Sequence, residues 1–152
     1  MRNDWWRRVL VASLLLPAAL PVAAKTRLEK ITISGPGLGT PVEITDEQTL
    51  RLANPWFGRF IEWRAPAVEA RHRTAIYDVV LHARLRSSEL RPIYQFRYAP
   101  EAGGDRGLIY LPGKGEPWHR QNVSVIIRDN HDGRWNPASP AWDARMKVAL
   151  TR

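Results

Sequence analysis

Between residues 74 and 98 the chain alternates apolar and polar side chains in two successive segments. Tyr77, Val79, Leu81, Ala83 and Leu85 alternate with Asp78, Val80, His82, Arg84 and Arg86. Tyr94, Phe96 and Tyr98 alternate with Ile93, Gln95 and Arg97. Successive side chains of a strand point to opposite faces, so a period of two implies strands with one buried face each. A tight turn at Ser88-Glu89, with Ser87 opposite Leu90, sets Leu85 against Pro92, Ala83 against Tyr94, Leu81 against Phe96 and Val79 against Tyr98. Both apolar stripes then share one face, the condition a hairpin has to meet.

The remaining segments extend this hairpin into a sheet. Residues 27–34 read as a strand, with Glu29, Ile31 and Ile33 on one face and Leu28, Lys30, Thr32 and Ser34 on the other. The Gly- and Pro-rich segment 35–41 reads as a turn, because it lacks the Gly-Lys-Ser/Thr ending of a phosphate loop, and Val42-Glu43-Ile44 follows as a short strand. Leu108–Leu111 and Val123–Ile127 are apolar runs bounded by turn residues, and the second reads as a buried central strand. Thr45 with Gln48 three residues on forms a capping box for a helix over about 46–53, stopped by Asn54-Pro55. Ser139 followed by Pro140 caps a second helix over about 140–150, with Trp142, Met146 and Ala149 as its apolar stripe. Asp132-Gly133 is a hairpin turn leading to Arg134-Trp135. The expected fold is mainly β: a single small antiparallel sheet or sandwich-like domain with two short helices, with α+β as the alternative.

The first 24 residues read as a secretory leader rather than as part of the fold. Arg2, Arg7 and Arg8 precede the apolar run Val9–Leu16, and Val22-Ala23-Ala24 supplies small residues before Lys25. Pro17 and Pro21 interrupt a run already shorter than the roughly 20 apolar residues a spanning helix needs. The expectation is cleavage near Ala24-Lys25, export to the periplasm or the exterior, one β-rich domain over residues 25–152, and no transmembrane span in the mature chain. There is no cysteine, which removes thiol catalysis, Cys-based zinc sites and disulfide staples, so the core alone must hold the domain together. Lys and Arg number 23 against 15 Asp and Glu, a net charge of +8. That balance is compatible with an anionic envelope component; the leader argues against nucleic acid.

No motif carries identifiable catalytic, metal-binding or cofactor chemistry. The four histidines, His72, His82, His119 and His131, have no ligand spacing, and no Gly-x-Ser-x-Gly elbow is present. Asp129–Gly133 departs from the calcium-loop pattern. Three surface readings remain. On the outer face of the hairpin, Arg84, Arg86, Arg91 and Arg97 form an arginine face, and Arg86 directly opposite Arg91 invites an anion between two guanidinium forks. Trp56, Phe57 and Phe60 either dock a partner such as another envelope protein or close over one end of the core. Trp118-His119-Arg120 reads as a ligand lip or as core cover. The chain is thus expected to be an exported, non-enzymatic binding or structural module. The alternatives are an envelope-polymer hydrolase built on His119, Asp129 and Glu116, and a docking subunit of an envelope assembly.

Overall fold

The computed structural model describes residues 27–70, 73, 75–84 and 89–151. The leader, the tip of the hairpin and Arg86 lie outside them. Six strands form one antiparallel sheet: β1 (Leu28–Ser34), β2 (Val42–Ile44), β3 (Tyr77–Arg84), β4 (Leu90–Ala99), β5 (Leu108–Leu111) and β6 (Arg134–Pro137). Their spatial order is β2-β1-β3-β4-β5-β6. Three helices accompany them: α1 (Glu47–Ala53), α2 (His119–Val125) and α3 (Pro140–Leu150). The fold is therefore mainly β, with one sheet rather than a sandwich and one helix more than expected.

The hairpin keeps its apolar stripes on one face, as the alternation requires, but in a different register. Tyr77 stands opposite Tyr98, Val79 opposite Phe96 and Leu81 opposite Tyr94. The pairing then jumps to His82 opposite Pro92, so Ile93 forms a bulge and is buried beside Tyr94. Pro92 has no N–H to give to the ladder, which makes the bulge a natural place for it. A second bulge at Glu29 turns Leu28 to the core beside Ile31 and Ile33. It leaves Glu29 on the other face, where it accepts from Arg84 Nε at 2.9 Å.

α1 and α3 cover the apolar face. Asp46, not Thr45, caps α1: its carboxylate accepts from the Thr49 N–H at 2.9 Å. Ser139 caps α3 as the sequence implies, accepting from the Trp142 N–H at 3.1 Å. Trp142 is fully buried and meets Phe60, Phe96 and Tyr98 edge-on, with centroids 5.5–6.2 Å apart. Met146 and Ala149 extend the stripe along the sheet. The loop after α1 runs beside the free edge of β6, where Ile61 bridges Ala138 and Val68 bridges Trp135. That contact shields an edge that would otherwise present unpaired backbone groups.

Residues 123–127 are not a central strand. Val123 and Val125 belong to α2, and Ile127 is 59 % exposed. The cause lies in β4. β5 pairs with β4 only at Arg97, Tyr98 and Ala99, so the β4 edge below Arg97 is open. The Asn122 side chain fills it, accepting from the Gln95 N–H at 3.0 Å and donating to the Gln95 C=O at 2.7 Å. One amide group thereby does what a neighbouring strand's backbone would do. Asn122, Val125 and Ile126 fall at i, i+3 and i+4, a helical face turned to the sheet. Asp132-Gly133 does form a turn, with Gly133 at φ 72°, but it leads into β6 against β5 instead of closing a hairpin on the preceding segment.

Candidate binding face

The expected arginine face is dispersed. Arg91 stands opposite Ala83, not Arg86, because the Ile93 bulge turns it to the other side of the sheet. Arg84 lies opposite Leu90 at the same end of the hairpin, and Arg97 opposite Asp78, six residues farther along β3, roughly 20 Å at ~3.3 Å per residue. Carboxylates accompany all three: Glu29 at 2.9 Å from Arg84, Glu89 at 2.8 Å from Arg91 and Asp78 at 3.6 Å from Arg97. Arg86, the other half of the expected fork pair, lies outside the described residues.

The aromatic loop splits in the same way. Phe60 is fully buried and stacks on Phe96 with centroids 4.9 Å apart, so it belongs to the core and not to a docking surface. Trp56 is half-buried and donates its indole N–H to the Val125 C=O at 3.1 Å. Phe57 alone of the three projects, at 60 % exposure.

A different surface gathers aromatic and polar groups. The face of the sheet opposite α1 and α3 carries a row that crosses five strands: Ser34, Asp78, Arg97, Tyr110 and Trp135 are successive cross-strand partners. The Arg97 guanidinium lies 5.9 Å from the Tyr110 ring centroid, and Tyr110 lies 5.2 Å from Trp135, tilted by 47°. Both spacings suit favourable ring contacts. Beside the row, the loop between β5 and α2 brings in Glu116 and Trp118. Glu116 accepts from the Tyr110 hydroxyl at 2.6 Å and from the Gly113 N–H. These hydrogen bonds, Tyr110's first, hold its carboxyl below the ordinary carboxylate range. Burial and the same hydrogen bond push the Tyr110 phenol up to about 12.

Trp118 stands at the N-cap of α2 with φ 70° and no capping side chain. It is the one non-glycine with positive φ among the described residues. A left-handed residue with a Cβ costs roughly 1–2 kcal/mol. Two depressions flank it. A small one of about 40 Å³ has Gln95, Arg97, Tyr110 and Glu116 in its lining. A shallow one of about 590 Å³ is lined by Pro92, Pro117, Arg120, Gln121 and Ser124. Trp118 borders both.

Tyr110, Trp118 and Trp135 are all half-buried, yet among the described residues they belong neither to the core nor to the side chains packed against it. Trp56, Trp63 and Tyr77 do pack against it. The sequence marks Trp118 but not this grouping. The one signal for it is the Pro112–Pro117 loop, whose prolines and glycines fold the chain back over β5.

Two other places were open to a ligand. One depression, about 700 Å³, lies between the β2–α1 turn and α3. It carries no aromatic ring, and its carboxylates are engaged: Glu43 by Lys30 at 2.6 Å, Glu47 by Arg51 at 2.7 Å and Asp46 by the α1 N-terminus. The proposed hydrolytic trio is only partly assembled. His119 biases the carboxyls of both Glu116 and Asp132, while Asp129 enters only as a neighbouring charge of Asp132. Burial pushes the Asp132 carboxyl up. Among the described residues no group of three or more His, Asp or Glu could hold a metal ion, and no helix is long and apolar enough to cross a membrane. No family model, curated protein or solved structure matches this chain, so its function has to be argued from the geometry of this face.

Proposed function

We propose that the mature chain, residues 25–152, is a non-catalytic binding module that acts outside the cytoplasm and meets its partner with the open face of its sheet. One observation carries this reading: three aromatic side chains, Tyr110, Trp118 and Trp135, stand on that face without serving the core. Aromatic rings held at a surface outside the core are a feature of recognition surfaces. The export half of the proposal rests on the three-part pattern of residues 1–24.

Binding is tested by co-sedimentation of the mature chain with isolated cell-wall sacculi and with outer-membrane vesicles. Wild type is expected to pellet with one of them. Trp118→Ala/Trp135→Ala is expected to stay in the supernatant while losing no more than about 1 kcal/mol of stability, since neither ring packs on the core. Equal pelleting of the two proteins would remove the face from the argument. Export is tested by sequencing the amino terminus of the chain recovered from periplasm or medium, which is expected to begin at Lys25. Recovery of the uncleaved chain in the membrane fraction would overturn the leader reading.

A second reading, hydrolysis of an envelope polymer, draws on Glu116 and Asp132, whose carboxyl groups are pushed in opposite directions near His119. Release of soluble fragments from the same sacculi, abolished by Glu116→Gln, would establish it. Intact sacculi after prolonged incubation would dismiss it.

A further inference from the structure

We infer that the partner of this face is an uncharged saccharide chain lying along β4; the inference rests on the binding-face reading above. The first reason is shape. The two depressions that meet at Trp118 have Arg97 and Gln95 at one end and Pro92 at the other. From Arg97 to Pro92 is five residues of strand, a run of roughly 16 Å. Pro117 and Trp118 line both depressions, and the wider one, with Arg120, Gln121 and Ser124, is shallow and open to solvent; the two together are read as one trough. A trough of that length suits a linear oligomer and not a single small ion.

The second reason is the kind of polar group along it. Gln95, Arg97, Glu116, Arg120 and Gln121 are planar amides, guanidinium groups and a carboxylate. Gln95 donates to Asp78 at 3.2 Å, Gln121 donates to the Ile93 C=O at 3.4 Å, and one Glu116 oxygen is taken by Tyr110 and Gly113. The amide oxygens of Gln95 and Gln121, the second Glu116 oxygen and the guanidinium groups are the acceptors and donors that hydroxyl or acetamido groups would meet. Tyr110, Trp118 and Trp135 supply apolar ring surface among these groups. Polar edges with apolar ring faces complement a pyranose, which presents hydroxyls around its rim and C–H groups on its faces.

The third reason is charge. The protein as a whole carries +8, yet along this face Arg97 and Arg120 are balanced by Asp78 and Glu116. Asp78 lies 3.6 Å from Arg97, and Glu116 is held in its ionised form by two hydrogen bonds. A site for a polyanion concentrates cations and excludes carboxylates. Here a chain rich in arginine has built a locally neutral face, and a neutral ligand is the complement of that face.

Trp118 makes the inference testable in a way that separates binding from folding. Its left-handed backbone favours glycine, so Trp118→Gly relieves strain while removing the ring. The mature chain would be titrated with the tetramer of N-acetylglucosamine and with cellotetraose, following tryptophan fluorescence and backbone amide shifts. The expected result is a saturable response at Gln95, Arg97 and residues 116–121. In Trp118→Gly the apparent Kd is expected to rise at least about tenfold, ~1.4 kcal/mol, with Tm unchanged or higher.

Heparin and an oligothymidylate serve as polyanion probes, and isolated sacculi as the crude one. A response to either polyanion that vanishes in Trp118→Gly, with none to the saccharides, overturns the uncharged saccharide but leaves the binding face standing. Wild type and Trp118→Gly behaving alike towards every probe overturns both. A Trp118→Gly protein less stable by several degrees marks Trp118 as a structural residue and likewise overturns the inference.

Discussion

Asn122→Ala is expected to destabilise the protein by about 2–4 kcal/mol, the cost of leaving two backbone groups of Gln95 without their partner. At about 3–5 °C per kcal/mol for a domain of this size, Tm should fall by roughly 10 °C. Asn122 is 2 % exposed, and its amide both accepts from the Gln95 N–H and donates to the Gln95 C=O. β3 pairs with this stretch from the other side, and among the described residues no strand pairs with the edge that faces Asn122, since β5 ends its pairing at Arg97. Urea unfolding gives the loss directly. Amide hydrogen exchange localises it, because the Gln95 N–H should lose protection before the Phe96 and Tyr98 amides do.

Asn122→Asp is the sharper variant. One oxygen still accepts from the Gln95 N–H, but the other now faces a carbonyl that needs a donor. Protonation restores a donor, so this variant is expected to regain stability as pH falls through the raised pKa of the new carboxyl. A variant of wild-type stability would show that water satisfies Gln95 and that α2 is not held by this residue.

Asp143→Ala carries the second large effect. Asp143 lies in the first turn of α3, 5 % exposed, and accepts from the Tyr98 hydroxyl at 2.8 Å and from the Gly107 N–H at 3.1 Å. It ties α3 to β4 and to the loop entering β5. Its removal leaves two buried donors unsatisfied, an expected loss of about 2–4 kcal/mol. Gly107→Ala should disturb the same node, since a Cβ there would stand 2.0 Å from the Asp143 carboxylate.

Burial pushes the Asp143 carboxyl above its ordinary value, with the Tyr98 and Gly107 hydrogen bonds opposing the shift. The native state therefore binds this proton more tightly than the unfolded chain does. Asp143's contribution is greatest below the ordinary pKa of 3.8 and declines as pH rises through the raised one. Asp143→Asn, which cannot titrate, should flatten the stability profile in that window. An unchanged profile would place the titration elsewhere.

The parts of the fold that were legible in the sequence are those set by neighbours along the chain. The alternation of Tyr77, Val79 and Leu81, and of Tyr94, Phe96 and Tyr98, states which side chains share a face, and all but the partly exposed Tyr77 are buried there. Ser139-Pro140 marks the start of α3, because a cap and a first-turn proline act within one turn of backbone. The register was not legible. A bulge at Ile93 depends on what β3 offers across the strand, and it carried Arg91 away from the arginines with which it had been grouped.

Nor was α2 legible. Val123-Ser124-Val125-Ile126-Ile127 has β-branched residues and no helical stripe of its own; what draws its first three residues into α2 is an open edge on β4 that a single amide can close. The binding face is the same kind of fact. Residue type says that Tyr110, Trp118 and Trp135 are apolar, and local period says which side of a strand they leave. Whether a helix covers that side is a matter of how distant segments pack. α1 and α3 took the other face of the sheet, and these three rings were left half-buried and outside the core.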